Sequence, residues 1–256
     1  MKLTTILLFV VLSVTCMAQV QFIGHRGASY LAPENTLASL KLGYELGADA
    51  VEIDVYLSAD NRVMVIHDKS TKRTCKGKNF EIKTTPSILL RELDAGSYKG
   101  KEFKDERIPF LSEVIKLIPP GKKLVVEIKC GSEVLPYIKR VIEKEGKSGQ
   151  IVFISFGWQT ILDTKKAFPD NDCYWLSAIK ARVHSKIKKV KEAGLQGVNL
   201  KHSIIDEDLV TLANNLNLEV LAWTVDDPEE AKRLIGLGVK FITTNRPKWL
   251  KEQVLN

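Results

Sequence analysis

The sequence alternates eight times between a short apolar run and a longer amphipathic pattern, and this alternation restricts the chain to few folds. The apolar runs predict strands at residues 21–25, 50–56, 123–129, 151–156, 173–177, 196–200, 218–225 and 240–244. The amphipathic patterns predict helices at residues 35–46, 111–118, 133–145, 158–168, 184–193, 206–215, 228–237 and from 247 onward. Strands that are apolar on both faces are typical of parallel sheets covered by helices. Eight such units predict an α/β fold of the (β/α)8 TIM-barrel type.

Two segments do not fit the regular alternation. Residues 63–67 follow the second strand after a turn that is too short for a helical crossover, so they predict a hairpin arm that folds back on that strand. Residues 69–109 are polar, rich in Lys, Gly and Thr, and contain one weak helical pattern at 86–93. We interpret them as an insertion over the barrel mouth, within a single domain that spans residues 19–256.

The N-terminus has the pattern of a targeting segment. Residues 1–18 contain Lys2, an apolar run at 6–14 and small or neutral residues up to Ala18, which is typical of a signal peptide. No later segment approaches the roughly 20 apolar residues that a spanning helix needs. We therefore expect an exported protein, periplasmic or secreted, without a transmembrane segment. A lipid anchor on Cys16 is an alternative that the preceding residues fit less well.

Charge and composition limit the expected partners. The formal net charge of +7 would attract phosphate groups. Much of this charge lies at 186–191, where the lysines have the spacing of a solvated helix face, and no aromatic residues are interleaved with them as in single-strand binders. We therefore expect a small-molecule substrate and no nucleic acid. No apolar stripe demands association, so the chain is predicted to be a monomer or a homodimer.

Carboxylates lie near the ends of two predicted strands, where TIM barrels place their chemistry. Glu52 and Asp54 are two residues apart, so they point to one face of their strand at a separation of about 6.6 Å. Glu127 lies on the next parallel strand. Three inward carboxylates repel one another and lose hydration, and a divalent cation relieves both effects. Because the ligands are all oxygen, Glu52, Asp54 and Glu127 favour Ca²⁺ or Mg²⁺ over zinc.

Two imidazoles and two cations are predicted near the same carboxylates. His25 and Arg26 follow the first strand, Lys129 follows Glu127 by two residues, and the hairpin returns His67. A single histidine or glutamate at a strand end usually has only a structural role, but a core would not accommodate this many charges. Arg26 and Lys129 are suited to hold a phosphate beside the metal. His25 and His67 could then serve as general base and general acid.

The motifs that contain these residues are H-R-G at 25–27, A-P-E-N-T at 32–36, E-I-D at 52–54, H-D at 67–68, V-E-I-K at 126–129 and W-T-V at 223–225. In this order and spacing they resemble the glycerophosphodiester phosphodiesterase family over about residues 22–247. The resemblance implies a distorted TIM barrel with an insertion after the second histidine. It also implies metal-dependent hydrolysis of a glycerophosphodiester, such as glycerophosphocholine or glycerophosphoethanolamine, to glycerol 3-phosphate and an alcohol.

The same resemblance implies roles for single residues. Catalysis is assigned to His25 and His67, the metal to Glu52, Asp54 and Glu127, phosphate contacts to Arg26 and Lys129, and a pocket wall to Trp223. One motif departs from the family, because T-N-R-P at 244–247 stands where members commonly have T-D-R-P or T-D-F-P. The residue concerned, Asn245, affects the detail of the pocket rather than the reaction.

Three other functions are compatible with these residues. The first is a lysophospholipase D or sphingomyelinase D type activity on the same scaffold, although the polar segment 69–109 favours a soluble, deacylated substrate. The second is a glycoside hydrolase, which also uses paired carboxylates in a barrel. The third is a noncatalytic binding protein for phosphorylated ligands. The sequence leaves open which histidine is the base, and whether water or the glycerol 2-hydroxyl attacks the phosphate.

Overall fold

The structure is a computed structural model that describes residues 20–255. The predicted signal peptide at 1–18, including Cys16, lies outside these residues, so export stays a prediction. Within 20–255, no helix is long and apolar enough to cross a membrane.

Eight parallel strands form a closed barrel, which confirms the predicted (β/α)8 architecture. The first strand pairs with both the second and the last, and these two pairings close the sheet. With the short hairpin strand β3 included, the strands are β1 (Gln21–Gly24), β2 (Ala50–Leu57), β3 (Val63–Val65), β4 (Lys123–Ile128), β5 (Ile151–Ser155), β6 (Asp172–Ser177), β7 (Gly197–Lys201), β8 (Glu219–Trp223) and β9 (Phe241–Thr244).

Eight of the helices in the described residues cover the outside of the barrel. They are α1 (Leu37–Glu45), α3 (Leu111–Leu117), α4 (Leu135–Glu145), α5 (Trp158–Ala167), α6 (Lys180–Glu192), α7 (Glu207–Asn215), α8 (Pro228–Gly236) and α9 (Pro247–Leu255), whereas α2 (Ser87–Arg91) lies in the segment 69–109. The start of α6 was predicted at residue 184, four residues too late. Its buried face begins only at Val183, so its polar first turn gives no apolar periodicity. The strand predicted at 218–225 is also shorter in the structure, where β8 ends at Trp223.

The core has two layers that follow from the alternation of strand side chains. Residues such as Phe22, Ile53 and Phe153 point outward and pack under the helices. Residues such as Val125 and Leu221 fill the barrel interior. Because successive side chains point to opposite faces of a strand, the outward Ile53 requires its neighbours in β2 to point inward. The barrel therefore places the acidic residues of β2 at its axis.

The hairpin arm is present as predicted. Val55 of β2 lies opposite Val65 of β3 in an antiparallel pair. Beyond β3, the backbone N–H of Ile66 donates to the carbonyl of Asp54 at 3.0 Å. The chain therefore returns His67 to the C-terminal end of β2.

The segment 69–109 has its own small apolar cluster against the hairpin arm, in which Ile82, Leu90 and Ile108 are buried. Its single α-helix, α2, is where the weak helical pattern predicted one. The backbone N–H of Glu34 donates to the hydroxyl of Tyr98 at 3.0 Å, so the segment also contacts the loop after β1. The segment therefore borders the barrel mouth, which is formed by the C-terminal ends of the strands.

Candidate active site

Three buried carboxylates form the centre of the site, and we call Glu52, Asp54 and Glu127 the acidic cluster. They are 3%, 1% and 8% exposed. Asp54 of β2 is the register partner of Glu127 on β4, and one oxygen from each of the three residues lies within 4.8 Å of the others. The acidic cluster that the strand alternation predicted is thus present.

Burial and neighbouring charges raise the pKa values of Glu52 and Glu127. Burial, followed by the charges of Asp54 and Glu127, raises the pKa of Glu52 well above its ordinary value. Burial and the charge of Asp54 likewise raise the pKa of Glu127 to about 7. A cation bound to the acidic cluster would favour the ionised carboxylates and so lower the pKa values of Glu52 and Glu127.

One atom of the acidic cluster fits a bound cation particularly well. Asp54 Oδ2 accepts a hydrogen bond from Asn35 Nδ2 at 2.8 Å. Asp54 Oδ1 is buried and has no hydrogen-bond partner within residues 20–255. A buried carboxylate oxygen without a donor is costly, and a metal ion satisfies it directly. The donor set, three carboxylates, suits a hard divalent ion.

Two cations, Arg26 and Lys129, border the acidic cluster. Arg26 directs Nη1 to Glu34 Oε1 at 2.8 Å and Nε to Asp54 Oδ2 at 3.3 Å. Lys129 Nζ lies 2.9 Å from Glu127 Oε1. These ion pairs hold both side chains at the pocket, where they could bind an anion.

The backbone after β1 is bent to aim Arg26 inward. Arg26 has a left-handed φ of +52°, and its backbone N–H donates to Glu52 Oε2 at 3.0 Å. Gly27 follows with a φ of +86°, and a Cβ at this position would lie 2.5 Å from the backbone oxygen of Ser39. This close approach explains why the H-R-G motif needs its glycine.

Each of the two predicted catalytic histidines is held through Nδ1. His67 Nδ1 lies 2.6 Å from Asp68 Oδ1, and its Nε2 lies 3.1 Å from Lys129 Nζ. His25 Nδ1 lies 2.8 Å from Asn245 Oδ1. Burial lowers the pKa of His25 to about 4, with the charge of Arg26 acting in the same direction, so the ring is neutral at pH 7.

A cavity of about 110 Å³ connects these groups at the barrel mouth. Seven of the eight predicted site residues line it, namely His25, Arg26, Glu52, His67, Glu127, Lys129 and Trp223. Asp54 lies beside it within the acidic cluster. Trp223 forms one wall and packs edge-on against Phe156, with ring centroids 5.5 Å apart. The arrangement combines three carboxylates that could hold a divalent ion, two cations that could bind an anion and two imidazoles that could transfer protons.

Comparison with known proteins identifies the family. The sequence profile described as the glycerophosphoryl diester phosphodiesterase family matches residues 25–249. The chain belongs to this family. It is therefore an enzyme, a phosphoric diester hydrolase, which excludes the glycoside hydrolase and noncatalytic alternatives.

Individual members of the phosphodiesterase family cover nearly the whole chain. A protein of Caldanaerobacter subterraneus subsp. tengcongensis named glycerophosphodiester phosphodiesterase is 33% identical over 245 residues, covering 89% of this chain and 95% of the relative. A human protein named lysophospholipase D GDPD1 is 26% identical over 280 residues, covering 91% and 86%. A phosphodiesterase structure from Oleispira antarctica, in complex with the product sn-glycerol-3-phosphate, has a TM-score of 0.86 at 30% identity and covers 92% of this chain and 97% of that one.

The sequence did not predict several contacts of this phosphodiesterase site. Asn35 and Glu34 belong to the A-P-E-N-T motif, but their contacts with Asp54 and Arg73 were not foreseen. The hydrogen bonds from Arg73 and the charge of Arg26 outweigh burial and lower the pKa of Glu34 to about 2. The exposed Phe156, directly after β5, was also missed. The signal that could have identified Phe156 was an aromatic residue directly after an apolar strand, at the end of the strand that faces the barrel mouth.

Proposed function

We propose that this enzyme hydrolyses glycerophosphodiesters to glycerol 3-phosphate and an alcohol, using a divalent ion held by the acidic cluster. The observation that carries this proposal is the convergence of three carboxylate oxygens within 4.8 Å of one another. They lie in one pocket with two cations and two histidines. A divalent ion bound there supplies positive charge to a nonbridging phosphate oxygen and stabilises the charge that grows during the displacement.

Arg26 and Lys129 bind the phosphate in this proposal. Both are held at the pocket by carboxylates, Arg26 by Glu34 and Lys129 by Glu127. Arg26 offers a planar group with several donors, and Lys129 offers a compact charge. Together they orient the phosphorus for attack.

His25 and His67 transfer the protons. One accepts the proton of the attacking group and the other protonates the leaving alkoxide. Both rings line the same pocket as the phosphate-binding cations. Attack by water and attack by the glycerol 2-hydroxyl both need two such groups, and detection of a cyclic phosphate would distinguish the routes.

The small pocket supports a glycerol phosphate group as the part of the substrate that is recognised. Asn199 Oδ1 is buried without a hydrogen-bond partner among the described residues, and its side chain lines the pocket. This oxygen would accept a hydrogen bond from a substrate hydroxyl. Trp223 and Phe156 provide an apolar surface for the carbon chain. The Oleispira antarctica structure, solved with sn-glycerol-3-phosphate, supports the same product.

A second candidate substrate is a lysophospholipid. The pocket wall includes Phe156, which is 45% exposed, and an apolar chain could lie along it. The human relative at 26% identity is named a lysophospholipase D, which supports this alternative. The acyl chain would extend from the mouth rather than fill the cavity.

A substrate panel tests the proposal. Glycerophosphocholine, glycerophosphoethanolamine and lysophosphatidylcholine are incubated with the purified enzyme and Ca²⁺ or Mg²⁺, and the phosphorylated product is identified by mass spectrometry. We expect glycerol 3-phosphate from the first two substrates. Faster release of choline from lysophosphatidylcholine would favour the second candidate, and no hydrolysis of any of the three would contradict the proposal. Glu229→Gln, which changes a carboxylate with 81% side-chain exposure, is the surface control and should hydrolyse the same substrates as the wild type.

A further inference from the structure

The further inference concerns the proton on His25, and it rests on the proposed function, in which His25 transfers a proton. A neutral imidazole carries its proton on either Nδ1 or Nε2, and only a ring with an unprotonated Nε2 can accept a proton there. Among residues 20–255, no group hydrogen-bonds His25 Nε2, and the ring lines the pocket. The tautomer therefore decides what His25 can do.

The Nδ1 atom of His25 is the first link in a chain of hydrogen bonds to a carboxylate. Asn245 Oδ1 lies 2.8 Å from His25 Nδ1 and also accepts a hydrogen bond from Ser29 Oγ at 2.8 Å. At its other end, Asn245 Nδ2 donates to Asp226 Oδ2 at 2.5 Å. Asp226 follows β8, and among the described residues no hydrogen bond joins it to His25. It therefore acts only through Asn245.

The neighbours of Asp226 require it to be an acceptor. The backbone N–H of Asn245 donates to Asp226 Oδ1 at 2.8 Å. The hydroxyl of Thr244 donates to Asp226 Oδ1 at 2.7 Å and accepts from the backbone N–H of Arg246 at 3.2 Å. A carboxylate has no hydrogen to donate, so Asp226 can only accept a hydrogen bond from the Asn245 amide. The end of the amide that faces Asp226 must therefore be the NH₂ group. The amide oxygen must then face His25.

We propose that Asp226, acting through Asn245, fixes His25 in the tautomer in which Nδ1 is protonated and Nε2 presents its lone pair to the pocket. Because an amide oxygen only accepts hydrogen bonds, the shared proton must lie on Nδ1. His25 is then the general base. The proton of the attacking hydroxyl or water moves to His25 Nε2 as its oxygen bonds to phosphorus, the bond from phosphorus to the leaving alcohol oxygen breaks, and His67 protonates that oxygen. The resulting imidazolium keeps its proton on Nδ1, which donates a hydrogen bond to Asn245 Oδ1.

Asp226 and Asn245 are therefore positioning residues of His25. Burial keeps the ring neutral before the reaction, since it lowers the pKa of His25. The hydrogen bond to the Asn245 amide raises this pKa by less than burial lowers it, whereas a carboxylate in direct contact would also raise it through its charge. Asn245, the position at which the sequence departs from the family pattern, thus lies between the Asp226 carboxylate and the His25 ring.

Nitrogen NMR tests the tautomer directly. In protein with ¹⁵N-labelled histidine, the two-bond ¹H–¹⁵N correlation spectrum shows which ring nitrogen is protonated, and His25→Gln assigns the His25 signals among the four histidines. We expect wild-type His25 at pH 7 to be protonated on Nδ1 only. A wild-type His25 protonated on Nε2 would overturn the inference. This spectrum does not depend on activity, so absence of hydrolysis by the wild type would count against the proposed function alone.

Three variants connect the tautomer to the rate. In Asp226→Asn, the new amide no longer dictates which end of Asn245 faces His25, so we expect kcat to fall at least about 10-fold with KM changed less than about 3-fold, and an Nε2–H signal to appear. Asp227→Asn keeps the oxygen that caps its helix and should change neither kcat nor the tautomer, because among the described residues Asp227 Oδ1 accepts only from the backbone N–H groups of Glu229 and Glu230. The double variant Asp226→Asn, Asn245→Asp again places an acceptor against Nδ1, so it should recover the Nδ1–H tautomer. Because the new carboxylate also raises the pKa of His25, most of the lost kcat should return only at a pH above that raised pKa. Unchanged tautomer and kcat in Asp226→Asn would contradict the inference.

Discussion

Lys129 Nζ lies 3.6 Å from Asp54 Oδ1, the carboxylate oxygen that has no hydrogen-bond partner in residues 20–255. The same ammonium group lies 3.1 Å from His67 Nε2. Lys129 therefore connects the acidic cluster to His67, one of the two histidines proposed to transfer protons. Its positive charge lies directly beside the carboxylates that would hold a divalent ion.

Replacement of Lys129 should separate metal binding from catalysis. In Lys129→Met, the acidic cluster loses a competing positive charge, so its affinity for Ca²⁺ or Mg²⁺ should be equal to or higher than in the wild type. The rate constant kcat/KM should fall about 100-fold, because a contact to the phosphate is lost. Lys123→Met, at the exposed opposite end of β4, is the control for both measurements. Weaker metal binding in Lys129→Met would show that this charge supports the site instead of competing with the ion.

Metal binding should release protons near pH 6. The pKa of Glu127 is raised to about 7, so at pH 6 most of this carboxyl group is protonated and must lose its proton to bind a metal. The apparent metal affinity should therefore rise as the pH increases from 5 to 8. Calorimetric titration in two buffers of different ionisation enthalpy measures the number of protons released. Glu127→Gln should release fewer protons than the wild type. A metal affinity that does not change with pH would contradict the prediction that Glu127 is protonated at pH 6.

The loop that positions Arg26 should depend on Gly27. Gly27→Ala combines a φ of +86° with a Cβ only 2.5 Å from the Ser39 backbone oxygen, so the loss of unfolding free energy should be about 3 kcal/mol or more. Gly47→Ala has a similar φ of +85° but no atom within 4 Å of the new Cβ, and it should lose only about 1 kcal/mol. Urea denaturation compares the two variants. Equal losses would mean that the contact with Ser39 is relieved by movement.

Asn199 should contribute to substrate binding and not to stability. Its Oδ1 atom is buried without a partner, so Asn199→Leu removes an unsatisfied polar group and should leave the free energy of unfolding unchanged or higher. If this oxygen accepts a hydrogen bond from a substrate hydroxyl, KM for glycerophosphocholine should rise about tenfold. The free energy of unfolding and KM together distinguish a role of Asn199 in stability from a role in substrate binding. A destabilised variant with a normal KM would assign Asn199 to the barrel core.

The sequence predicted most of the fold and the central acids because both follow from local periodicity. The alternation in β2 placed Glu52 and Asp54 on the inner face, and the short turn before β3 required a hairpin that returns His67. The contacts around these residues join distant parts of the chain. His25 and Asn245 are 220 positions apart, and no local pattern reports such a pair. The pairing of Arg73 with Glu34, 39 positions apart, was hidden for the same reason.

The role of the acidic cluster is tested most directly by the metal dependence of glycerol 3-phosphate release. The rate is measured with glycerophosphocholine after treatment with a chelator and again after addition of Ca²⁺ or Mg²⁺, for the wild type, Glu52→Gln and the exposed control Glu229→Gln. Activity should be lost in chelator, return with metal in the wild type and the control, and stay at least about 100-fold lower in a folded Glu52→Gln. Full wild-type activity in chelator, or normal metal-dependent activity in Glu52→Gln, would contradict a metal site at Glu52, Asp54 and Glu127.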